Sequence, residues 1–124
     1  MDAAFLIRKL QEQREEWCEL GDGLRVCFVR PPETEVHSLV RGVGVEHARK
    51  YVVKWDGFTE VTVLGEGVGA SDPLDFNADL WAALVADRAD WLSKFADALV
   101  SACNRRHKER KAALGNSAPT SEPA

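Results

Sequence analysis

From Asn77 to Cys103 the large apolar residues fall on one helical stripe, and that stripe constrains the fold more than any other feature. Trp81, Leu84, Val85, Trp91 or Leu92, Phe95, Leu99 and Cys103 recur near the 3.6-residue period of an α-helix. Asn77 is a capping residue, Asp79 suits the first turn, and Phe76 and Trp81 have the spacing of a hydrophobic staple. Asp87-Arg88-Ala89-Asp90 interrupts the stripe, so the segment is either one helix or two meeting near Asp90. Such a stripe must be covered by other elements, and 124 residues suffice for one core but not for two.

The remaining chain supplies that cover. Residues 3–19 have a helical pattern, with Phe5, Leu6, Leu10 and Trp17 on one side and charged residues elsewhere. Gly21-Asp22-Gly23 ends it as a turn. Leu24 to Arg30 alternates like a strand, with Leu24, Val26 and Phe28 on one face. Pro31-Pro32-Glu33 starts a short helix to about Val40, with Val36, Leu39 and Val40 inward. Tyr51 to Trp55 is the densest strand signal, followed by the turn pair Asp56-Gly57. Val61 to Leu64 returns as a hairpin partner or forms a short helical turn from Thr59. The reading is an α+β fold: an N-terminal helix, a small antiparallel sheet from residues 24–30 and 50–55, with 61–64 as a further candidate strand, and a helical C-terminal third. One domain covers residues 1–112, and the small, polar segment 113–124 reads as a disordered tail.

Charge and composition exclude several classes. Lys and Arg total 16 against 20 Asp and Glu, a net charge of −4, which argues against a general nucleic-acid binder. No run of about 18 apolar residues offers a membrane span. The N-terminal charges follow the short apolar run, the reverse of a signal peptide, which points to the cytoplasm. Cys18, Cys27 and Cys103 are widely spaced with no paired motif, and His37, His47 and His107 lie at no ligand spacing from them, so no metal site is expected. Gly65-Glu66-Gly67-Val68-Gly69-Ala70 lacks the spacing and setting of a nucleotide loop. His37-Ser38 are neighbours and not a catalytic pair, and Asp72 and Asp75 are explained as caps and turn formers. No catalytic residues and no cofactor are expected, and the chain reads as a non-enzyme.

Two features suggest contacts with other proteins. Trp55 at a strand end, followed by Phe58, is either core or an anchor for a partner. Residues 105–111 hold five cations, Arg105, Arg106, Lys108, Arg110 and Lys111, and one acid, whereas residues 1–103 carry 11 bases and 18 acids, a net −7. That basic end either complements a helix dipole or meets an acidic partner.

A resemblance runs over nearly the whole length. Phe5-Leu6-Ile7-Arg8-Lys9-Leu10, then Val29-Arg30-Pro31-Pro32-Glu33-Thr34-Glu35, Val53-Lys54-Trp55-Asp56-Gly57-Phe58-Thr59-Glu60 and Ser71-Asp72-Pro73-Leu74-Asp75-Phe76 precede a helix from Leu80-Trp81 to Asp90-Trp91-Leu92. In this order the segments resemble the tail assembly chaperones of long-tailed bacteriophages and prophages. The resemblance implies a non-enzymatic factor of the host cytoplasm, absent from the mature virion. Such a factor binds the tape measure protein, keeps it soluble and assists tail-tube assembly. It also implies self-association and contact with tail-tube protein, without nucleic acid or membrane. The alternative is a structural morphogenesis protein, for tail completion or head–tail joining, retained in the virion. Family members are often made in two forms through a −1 ribosomal frameshift. Leu114-Gly115-Asn116 is compatible with a slippery site, placed by this reading at the start of the tail. Trp55 and Phe58 would then dock apolar helix, and Arg105, Arg106, Lys108, Arg110 and Lys111 would meet acidic stretches.

Overall fold

In a computed structural model the described residues are 2–117, with side chains described as far as Leu114. Helix α1, Ala3–Gln13, is capped by Asp2, whose carboxylate accepts from the Phe5 N–H at 2.7 Å. It ends at Arg14, short of the expected residue 19, because Glu15–Gly21 forms strand β1. Trp17 and Glu19 face out while Cys18 and Leu20 are buried, a period of two that pairing with the next strand enforces over helix propensity. Strand β2, Leu24–Val29, runs antiparallel to β1 from Glu15↔Val29 to Gly21↔Leu24. Asp22 and Gly23 both have positive φ, as the mirror-image hairpin turns require.

The chain then forms the short helix α2, Glu33–Val36, and a 3-10 turn, His37–Leu39. Leu39 is buried, but Val40 is 82% exposed and not inward as expected. Helix α3, Val45–Tyr51, was not anticipated, and it takes Lys50 and Tyr51 out of the expected strand. Strand β3, Val52–Asp56, pairs antiparallel with β2, giving a three-stranded sheet in the order β1-β2-β3. Glu60–Leu64 is helix α4 and not a fourth strand. Thr59 caps it by accepting from the Thr62 N–H at 3.3 Å.

Asn77 caps helix α5, Ala78–Ala86, by accepting from the Leu80 N–H at 2.9 Å. Helix α6, Ala89–Ser117, follows after a break at Asp87 and Arg88, so the C-terminal stripe is two helices. Its 29 residues rise about 43 Å at ~1.5 Å each. Residues 113–117 are helical, against the expectation of disorder from 113, and Leu114-Gly115-Asn116 lies within the helix. Residues 118–124 of the expected tail lie outside the described residues. The architecture is α+β, as the sequence indicates.

The core lies between the inner face of the sheet and helices α5 and α6. Leu24, Val26, Phe28 and Val52 meet Trp81, Val85, Trp91, Phe95 and Leu99 in one cluster. Trp91, not Leu92, is the fully inward residue at that turn. Phe28 and Phe95 meet edge to face with centroids 5.7 Å apart. Trp81 is wholly buried and satisfies its indole N–H on the Ala48 carbonyl at 3.1 Å, which fastens α3 to α5. Lys94 on α6 reaches the Leu20 carbonyl at 2.9 Å and ties that helix to β1.

Candidate functional site

The two aromatic candidates belong to the core. Phe58 is 1% exposed, stacked on Trp55 at 4.2 Å and edge-on to Trp81 and Trp91. Trp55 is partly buried, packs against Phe76, and donates its indole N–H to the Leu74 carbonyl at 2.8 Å. The turn at Asp56-Gly57 lies between Trp55 and Phe58. Gly57 has φ 90°, and a Cβ there would lie 2.5 Å from the Gly23 carbonyl oxygen. The turn thus lies against the β1–β2 hairpin, and Phe58 follows it into the core. Phe58 is thus enclosed in the core, whereas Trp55 keeps part of its surface exposed.

The basic cluster divides around α6. Arg105 is ion-paired with Glu16 of β1, and Arg110 with Glu33 of α2, so both fasten the helix to the domain. Lys108 is exposed to solvent. Lys111 lines a groove of about 530 Å³ with Val36, Cys103 and His107. Arg106 turns into a cleft that contains two arginines from outside the helix, Arg14 and Arg30. The strand pairing brings these two together, because the Arg30 N–H donates to the Arg14 carbonyl at 2.8 Å, one rung beyond Glu15↔Val29.

Two cavities of about 260 and 360 Å³ share Arg14, Arg30 and Arg106. The first shares Val36, Cys103 and Arg110 with the larger groove, and the second reaches Leu10 of α1. The three are therefore lobes of one trough between α1, α2 and α6. Burial pushes the Cys103 thiol up from its ordinary range, against a smaller opposing pull from Arg30.

Helix α1 flanks this trough and has no buried residue. Leu6, Ile7 and Leu10 are 47%, 57% and 58% exposed, and with Ala3 they form one apolar stripe. Phe5 lies on the charged side, under the Lys9 ammonium. The helix was legible but its expected stripe only in part: Leu6 and Leu10 share a face, whereas Phe5 lies opposite and Trp17 belongs to β1, and nothing in the sequence said that the stripe would be left uncovered. Arg14 and Arg30 were missed because strand pairing alone makes them neighbours; the Arg30-Pro31-Pro32 segment was the only sign.

Among the described residues no three or more His, Cys, Asp or Glu side chains are placed to hold a metal ion. None of the described helices is long and apolar enough to cross a membrane. Cys18 and Cys27 are buried free thiols, and burial pushes Cys18 up to about 11. Comparison with protein-family models, with curated proteins and with solved structures gave no match.

Proposed function

We propose that this protein is a non-enzymatic tail assembly chaperone that binds the phage tape measure protein, keeps it soluble and assists tail-tube assembly. It would act in the host cytoplasm and be absent from the finished virion. The observation that carries this reading is α1, an amphipathic helix with no buried residue, whose stripe of Leu6, Ile7 and Leu10 stays about half exposed. Apolar stripes of this kind mark surfaces for other chains, and a second amphipathic helix is the natural occupant. A tape measure is a long helical chain that exposes apolar faces until the tube encloses it. Small subunits with one sticky helix each can coat it, and self-association multiplies weak contacts along the extended target.

The test is co-expression with the neighbouring phage genes and a pull-down on this protein. A tape measure protein that is soluble only in its presence, and is lost from the Leu6→Asp/Ile7→Asp variant, is the expected result. Recovery of tail-tube, terminator or portal subunits without tape measure would overturn the proposal. Detection of this protein in purified particles by mass spectrometry would then establish the structural-component alternative.

A further inference from the structure

The arginines of the trough create a demand that the domain itself does not meet. Arg14 at the end of α1, Arg30 after β2 and Arg106 on α6 converge from three elements on the same two cavities. Neighbouring carboxylates are already engaged: Glu16 by Arg105, Glu33 by Arg110, and Glu35, whose charge is felt by Arg14, by Lys50 and Tyr51. Glu109 lines the α1 end of the trough but makes no ion pair with the three, which have none among the described residues. The Arg14 Nε atom is buried without a hydrogen-bond partner among the described residues. Guanidinium groups gathered without counter-charge repel one another, and a buried donor left unpaired is costly. The strand pairing nevertheless holds Arg14 and Arg30 in register.

The surroundings specify the complement. Leu10 stands at the α1 end of the arginine lobes, and Val36 and Cys103 stand where they join the larger groove. Glu33 and Glu109 on the rim, and a net charge of −4, disfavour a long phosphate backbone. Planar guanidinium forks match carboxylates in pairs of parallel hydrogen bonds. The larger groove that adjoins the arginine lobes follows α6 from Cys103 to Leu114, about 16 Å, the length of three helical turns. We infer that it binds an acidic segment of a partner protein, with carboxylates on Arg14, Arg30 and Arg106 and flanking apolar side chains against Leu10 and against Val36 and Cys103. The inference rests on the protein-binding reading above and adds the chemistry of the segment recognised.

The probe is a fluorescein-labelled helical peptide of three turns with leucines on one face and glutamates beside them, read by fluorescence anisotropy against the full chain. A matched peptide with lysines in place of the glutamates is the comparison. The glutamate peptide binds, the lysine peptide does not, and binding weakens as salt rises. Arg30→Gln/Arg106→Gln weakens it by roughly tenfold or more, as loss of charge-assisted hydrogen bonds should. Arg14→Gln does the same, whereas Arg41→Gln, the same charge change on an exposed turn, does not. Melting curves confirm that each variant is folded. Equal binding of the two peptides, undiminished binding by the arginine variants, or displacement of the peptide by an equimolar DNA duplex would each overturn the inference. Two results separate it from the tail-assembly reading. Tape measure retained by Arg30→Gln/Arg106→Gln but lost by Leu6→Asp/Ile7→Asp removes this inference alone. Arginine-dependent peptide binding without capture of tape measure removes only the tail-assembly reading.

Discussion

Phe58 touches three indoles, stacking on Trp55 and meeting Trp81 and Trp91 edge-on at 6.3 and 5.8 Å. It joins the end of the sheet to both C-terminal helices, so its removal leaves a cavity that no single neighbour can close. Phe58→Ala should cost about 3–5 kcal/mol, seen as a lower urea midpoint. A variant of near-native stability would mean that the aromatic cluster repacks. Cys18 is buried beside Glu19 and Asp97, and burial, then the Glu19 charge, pushes its thiol from 9.0 up to about 11. The folded state thus favours the protonated thiol more than the unfolded chain does. Its contribution is complete below pH 9 and is lost as pH rises towards about 11. The fall in urea midpoint between pH 8 and pH 10.5 should be smaller in Cys18→Ala than in the parent. Equal falls would locate the alkaline loss at other groups, such as Tyr51, whose phenol is also pushed up by burial.

Among the elements, Gly57 sits at the tightest contact. Its φ of 90° and the 2.5 Å approach of a Cβ to the Gly23 carbonyl oxygen leave no room for a side chain against rigid backbone. Gly57→Ala should therefore destabilise by more than the ~1 kcal/mol of a left-handed residue alone, and thermal unfolding would show it. An unchanged melting temperature would mean that the hairpin yields. The same contact explains why the fate of Trp55 and Phe58 was not legible: an Asp-Gly pair announces a turn but not the direction it takes. Helices α5 and α6 were legible because a 3.6-residue stripe and an Asn77 cap are local signals. Strand β1 was not, since Glu15-Glu16-Trp17-Cys18-Glu19-Leu20 suits a helix until β2 pairs with it. Helix α3 hid behind the strand signal of Tyr51, Val52 and Val53, and Tyr51 in fact ends the helix, its hydroxyl donating to Glu35 at 3.0 Å. The arginine trough was illegible for a related reason, because Arg14, Arg30 and Arg106 are far apart in the chain.

For the molecule as a whole, stability and recognition are carried by different parts. The buried cluster draws on the three strands, α3, α5 and α6, and takes no residue from α1. Asp2 caps α1 alone, and the Leu6, Ile7 and Leu10 side chains stay about half exposed. An isolated helix of 11 residues is marginal in water, so α1 should open far more often than the core. Its amides should exchange with deuterium well before those of β2 and the middle of α6. Deleting residues 2–12 should lower stability by less than about 1 kcal/mol, because no buried residue is lost. The same deletion should abolish capture of an apolar helical partner, while Arg14, Arg30 and Arg106 remain to bind an acidic one. A loss of several kcal/mol would show that α1 braces the trough and that its exposed stripe is not held in reserve. Small change in stability with complete loss of capture would establish α1 as an element kept for other chains, ordered fully only when its stripe is covered.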